Sequence, residues 1–138
     1  HKDDEKQVKV IAGKFERAEG PVKGHNVEPT YFDVELKKEK EFNYNLPLTH
    51  NTFIYLIEGE IKVGQKNHDK VKDSTLILLS KGEDLKVKAL TNSKFLVISG
   101  KPINEEIARG GPFVMNTKAE ILQAVQDYHN GKFVKWKQ

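Results

Sequence analysis

Eight short runs of strand-forming residues follow one another along most of this chain with no helical pattern between them, at positions 8–12, 31–36, 42–46, 53–57, 61–63, 75–79, 85–90 and 95–99. Each is period-two or nearly continuous in its apolar residues, the signature of strands with one or both faces buried. Turn chemistry separates them: Gly59-Glu60, Gly64-Gln65, the stretch from Lys81 to Asp84, and Thr91-Asn92-Ser93. Many short strands at near-even spacing predict an antiparallel sandwich or barrel and argue against alternating strand–helix units.

The helical signal comes at the end. Thr117 and Glu120 have capping-box spacing, in which a hydroxyl and a carboxylate each satisfy backbone groups that a helix start leaves unpaired. Ile121, Leu122, Val125 and Tyr128 recur as an apolar stripe, and Gly131 offers the residue that most easily ends a helix. The stripe is expected to bury against apolar surface. Phe113, Val114 and Met115, adjacent and large, are expected to pack in a core or at a domain or subunit interface.

At 138 residues the chain is long enough for one real core, so the expectation is a single domain, 1–138, with a β-barrel over about 7–116 and a helix over about 117–130. No cysteine is present, which removes disulfides, thiolate metal sites and cysteine nucleophiles. The longest aliphatic run, Leu76 to Leu79, is too short to span a bilayer, and the charged start is no signal peptide, so a cytoplasmic protein is expected. A chain opening on His1 rather than Met is expected to be a processed or trimmed product with sequence upstream. Net charge is +3, but Arg17 and Arg109 are the only arginines and the lysines are scattered among 20 acids. Nucleic-acid binding, which needs clustered cations on one face, is therefore not expected. The tail from Lys132 to Lys137 interleaves cations and aromatics, and reads as a docking tail. The breaker-rich stretch from Gly20 to Pro29 reads as a connector.

The segment from Phe53 to Gly64 resembles the central strand pair of the cupin superfamily. Together with Val10-Ile11-Ala12-Gly13, the stretch from Ile98 to Glu105 and above all Gly111-Pro112-Phe113-Val114-Met115-Asn116-Thr117, the chain resembles the carboxy-terminal cupin domain of the pirin family. The resemblance implies an all-β fold, a cupin jelly-roll barrel with one carboxy-terminal α-helix. It also implies that a second cupin precedes this one and carries the iron, with the quercetin dioxygenase activity of some members.

Metal-binding cupins hold their ion with three His and one Glu. Laid on this sequence, the motif puts Asn45, Leu46, Pro47 and Leu48 at the first His pair, Thr52 at the Glu and Leu85 at the last His, none of them a ligand. The resemblance thus implies no cofactor in this chain, and Fe only in an amino-terminal cupin outside it. His1, His25, His50, His68 and His129 show no chelating spacing. His50 is the one metal candidate: two residues before Thr52, it would share that residue's strand face as a surrogate ligand or acid–base group, or else lie exposed in the strand lead-in. The emptied pocket, lined by Thr52, Ile54, Leu56 and Leu85, is the candidate ligand cavity. The pairs Glu58/Glu60, Asp33/Glu35 and Glu83/Asp84 read as turn and solvent-face residues, and Ser80 and Ser99 lack a nearby His or Asp in sequence.

Three functions remain from this reading. The first is a non-catalytic structural or interaction module, partnered by an amino-terminal cupin, another protein or a second copy of itself, with Phe113, Val114, Met115, Ile121, Val125 and Tyr128 as interface candidates. The second is part of a metal-dependent dioxygenase whose site lies upstream. The third is a small-molecule binding barrel. Because both faces of strand 53–57 are apolar, with Phe53, Tyr55 and Ile57 on one and Ile54 and Leu56 on the other, an uncovered face would mark an interface.

Overall fold

The computed structural model describes residues 1–23, 26–64 and 70–134. His25, His68 and the end of the tail, Lys135-Trp136-Lys137, lie outside them. The described residues form two compact units, one within His1–Pro102 and one beginning at Ile103. No helix among them is long and apolar enough to cross a membrane.

The first unit is built from β1 (Lys6–Ala12), β2 (Lys14–Phe15), β3 (Ala18–Glu19), β4 (Thr30–Leu36), β5 (Glu41–Asn45), β6 (Asn51–Glu58), β7 (Glu60–Val63), β8 (Val71–Lys72), β9 (Thr75–Leu78), β10 (Asp84–Ala89) and β11 (Ser93–Gly100). All eight expected strands are present. The two-residue strands β2, β3 and β8 carry no periodicity and were not expected. A five-stranded sheet runs in the order β1-β4-β11-β6-β9 and a four-stranded sheet in the order β5-β10-β7-β8, all neighbours antiparallel. The crossovers implied by these orders are those of the expected jelly roll.

Register turns alternation into a core. Phe32 on β4, Val97 on β11 and Ile54 on β6 lie side by side, as do Val34, Phe95 and Leu56, and all six are fully buried. Phe42, Ile61, Val87 and Ala89 of the four-stranded sheet fill the same cluster, Phe42 meeting Phe95 edge-on at 5.8 Å. Phe15, on the short β2–β3 hairpin, plugs one end of this core, stacked on Phe42 at 5.4 Å.

The other face of the five-stranded sheet is open. Leu96, Tyr55 and Leu76 form one row across β11, β6 and β9, and Ile98, Phe53 and Leu78 the next, with Leu76 55% and Leu78 77% exposed. The aliphatic run of β9 is thus split by its period of two, Ile77 packing on the core and its neighbours facing away.

In the second unit β12 (Ala108–Gly110) and β13 (Phe113–Met115), again too short to be expected, form a hairpin ahead of α1 (Lys118–His129). Thr117 is the N-cap with the complete capping box, Glu120 N–H donating to Thr117 Oγ1 at 3.2 Å and Thr117 N–H to Glu120 Oε2 at 2.8 Å. At the far end the N–H groups of Gly131 and Lys132 donate to the carbonyls of Tyr128 and Asp127, with Gly131 at φ 67°, a Schellman motif. The stripe needs correcting. Leu122 and Tyr128 are 66% and 65% exposed and Ala124 is buried instead, because at about 100° per residue Ala124 lies within about 60° of Ile121 while Leu122 is about 100° away on the other side, and Tyr128 stands in the last turn. Ile121 and Val125 are half-buried, as are Phe113 and Met115, while Val114 points outward. Ile121 Cγ2 sits where Gly110 would carry a Cβ, and Tyr128 and Phe133 gather around Phe113.

The cap gives a first test. The Thr117 side chain, then its N–H, hold the Glu120 carboxyl below its usual range. A depressed carboxylate stabilises the folded state above its unfolded pKa and loses that contribution as pH falls through the folded value, so the helix start should loosen as pH falls below the ordinary carboxylate range. Thr117→Ala should cost about 1 kcal/mol. Amide exchange at Glu120 and Ile121 in wild type and variant, across an acid titration, measures both effects. Unchanged protection in the variant would contradict them.

Candidate functional site

Buried polar residues are concentrated at one end of the first unit. Thr30, Ser99 and Thr52 continue the core rows one step outward across β4, β11 and β6, and each is at least nine-tenths buried. Burying hydroxyls is costly unless they are paired, and here they are linked. Thr52 Oγ1 donates to Ser99 Oγ at 2.9 Å, and Ser99 Oγ lies 3.3 Å from His50 Nδ1.

His50 is 6% exposed, so the reading of it as a solvent-exposed lead-in residue does not hold. Its N–H closes a turn onto the Pro47 carbonyl at 3.0 Å. Lys81 then fastens the strand entry, its Nζ donating to the carbonyls of His50 (3.0 Å) and Thr49 (3.4 Å) and to Asn51 Oδ1 (2.8 Å). Nor does Ser99 lack a neighbouring His: a residue 49 positions away in sequence is brought to it by strand register.

A cleft of about 390 Å³ opens in front of this cluster. His50, Thr30, Tyr44, Asn45, Pro47 and Pro29 form its body, and Lys14, Lys23, Glu19 and Glu28 stand on its rim. Part of the stretch expected to be a connector, Gly20 to Pro29, is therefore a wall. Lys23 donates to Glu19 at 2.5 Å, and this bond, then the charge itself, holds the Glu19 carboxyl below its usual range. A larger groove of about 500 Å³ elsewhere on the unit, from Lys2 to Lys94, is lined mainly by charged surface side chains.

Ile54 and Leu56 are fully buried inside the packed core, Thr52 belongs to the hydroxyl row, and Leu85, 3% exposed, borders a separate apolar cleft of about 340 Å³ with Leu46, Val63, Ile77 and Leu79. These four do not line one common cavity. Asn45 faces the His50 cleft, Leu46 is core, and Pro47 and Leu48 form the turn before His50. Among the described residues no three His, Cys, Asp or Glu side chains are grouped to hold a metal. The donors around His50 are hydroxyls and an amide, a set that does not fit the three-imidazole, one-carboxylate iron site of metal-bearing cupins.

The chain matches the model of the pirin C-terminal cupin domain over residues 31–134. It is 35% identical over 127 residues to a pirin-like protein of Caulobacter vibrioides, covering 91% of this chain and 45% of that one. It is 42% identical over 104 residues to a pirin-like protein of Solanum lycopersicum, covering 74% and 36%. A crystal structure of quercetin 2,3-dioxygenase from Acinetobacter baumannii superimposes with a TM-score of 0.84 at 34% identity, over 96% of this chain and 45% of that chain. The chain thus spans less than half the length of each of these relatives.

Proposed function

The chain belongs to the pirin C-terminal cupin domain family, and from that premise we propose that it is a metal-free cupin whose work is to dock against and support a metal-bearing cupin. One observation carries the reading: the open apolar face of the five-stranded sheet, where Tyr55, Leu76 and Leu78 are exposed in adjoining rows with Phe53, Leu96 and Ile98. An apolar patch of this kind on a strand face marks an interaction surface. Beside it, Asp33 Oδ1 is buried with no hydrogen-bond partner among the described residues, although Lys9 and Lys94 lie 3.8 and 4.0 Å from its other oxygen. A donor from a docked surface would satisfy it. The relatives' greater length supports a second domain of similar size as the occupant.

Any quercetin-type dioxygenase activity of the whole protein would then reside with iron in that other cupin. Among the described residues no donor set for it is grouped. The test is to purify the chain, dialyse it exhaustively, and measure metal content, flavonol-dependent oxygen uptake with added Fe(II), and binding to the metal-bearing cupin of a pirin-like relative. Expected are less than about a tenth of an equivalent of metal, no flavonol-dependent uptake, and binding weakened at least about tenfold by Leu78→Lys or Tyr55→Asp. A full equivalent of metal lost in His50→Ala, or flavonol turnover by the chain alone, would overturn the proposal.

A further inference from the structure

The docking role uses the outer face of the sheet and leaves the buried polar cluster at the other surface of the same strands unexplained. That cluster is a directed relay. Thr52 donates to Ser99, whose Oγ lies 3.3 Å from His50 Nδ1, so if the Ser99 proton is given to Nδ1 the imidazole carries its own proton on Nε2. A His held in this tautomer is a hydrogen-bond donor at its outer nitrogen. His50 lines the cleft, and so does Thr30, also more than nine-tenths buried, whose hydroxyl makes no hydrogen bond among the described residues. Lys81 clamps the strand entry that carries His50, so the donor is pre-positioned.

The rest of the cleft completes a pattern. Tyr44 supplies a flat wall, itself immobilised by Phe32 edge-on at 4.9 Å and by Phe15 at 6.2 Å, and Pro47 supplies another. At the rim Lys23 is engaged by Glu19, while Lys14 has no ion pair among the described residues. Although Glu28 stands on the same rim and Asn45 adds an amide, two donors on the floor, a hydroxyl and an imidazole, with flat side walls and Lys14 at the mouth, suit a group that accepts hydrogen bonds at its inner end. We propose that this cleft binds a small planar organic carboxylate, its oxygens on His50 Nε2 and the Thr30 hydroxyl and its flat body against Tyr44. An amide of the same shape would carry no charge toward Lys14 and would set its N–H against any donor at His50 Nε2, a mismatch that is costly when buried.

Benzoate and benzamide, identical in outline, are the probes. Titrated into the chain and followed by long-range proton–nitrogen spectra of the His side chains, benzoate should shift the His50 Nε2 signal saturably, with the free protein already in the Nε2–H tautomer. Thr30→Val, which keeps the shape and removes the hydroxyl, should weaken benzoate at least about tenfold, and Lys14→Gln about threefold. Ser99→Ala should mix the tautomers and weaken binding, with the amide spectrum showing that the fold persists. Equal binding of benzamide would overturn the carboxylate assignment. No saturable shift at His50 by about 50 mM benzoate, or a shift centred on the Leu85 cleft, would overturn the site.

Discussion

Phe42→Ala is expected to lower the stability of the first unit by about 3–5 kcal/mol, the range for emptying a large aromatic site in a core. Phe42 is fully buried and comes from the four-stranded sheet, yet its ring contacts lie across the barrel: Phe95 edge-on and Phe15 stacked. Both neighbours are rings anchored by strands of their own, so little can relax into the space that is vacated. The cavity term is added to the lost transfer energy. Phe42→Leu, which refills most of the volume, should cost less than about 2 kcal/mol. Urea unfolding followed by the amide signals of β10 and β11 measures the difference between the two variants. A loss below about 1 kcal/mol in the alanine variant would mean that the two sheets are held together elsewhere.

That contact also shows where reading the sequence stops. Phe42 lies in a run whose alternation is visible over five residues, and so does Phe32, so that part of the core could be read directly from period two; Ile54 and Phe95 lie in continuous apolar runs, where the sequence leaves open which face is buried. Phe15 could not be read. It sits in a two-residue strand, and two residues have no period; β8, β12 and β13 escaped for the same reason. The site divides along the same line. The strand face of His50 was legible because it stands two residues before Thr52, a local relation, but its burial was not. Its connection to Ser99 was not, since it depends on β11 pairing with β6 in one register among several, and nothing near Ser99 in the chain records which. The helix stripe fails in the opposite sense: Leu122 and Tyr128 are hydrophobic but exposed, while the small Ala124 holds the buried position.

Gly59→Ala is the second substitution expected to have a large effect, because two independent costs fall on one residue. Gly59 turns the chain from β6 into β7 at φ 93°, a conformation that costs an L side chain about 1–2 kcal/mol. It also has no room. A Cβ there would stand 2.6 Å from the Asn92 carbonyl oxygen and 2.9 Å from Ser93 Cα, both backbone atoms, and would strike the Ser93 hydroxyl as well. The backbone cannot yield cheaply, because the two turns are laced together: Glu60 N–H donates to Thr91 Oγ1 at 2.9 Å, Leu90 N–H to the Glu60 carbonyl at 2.8 Å, and Ser93 Oγ to the same carbonyl at 3.2 Å. Adding about 1–3 kcal/mol for overpacking gives an expected loss of about 2–5 kcal/mol. Gly111→Ala separates the two costs. Gly111 has φ 56° but open space around the added atom, so that variant should lose only the conformational part, about 1–2 kcal/mol. Urea midpoints of both variants, each followed by amide signals of its own unit, decide the matter: equal losses would show that the collision at Gly59 is relieved by movement of the 91–93 turn and that strain alone accounts for the glycine.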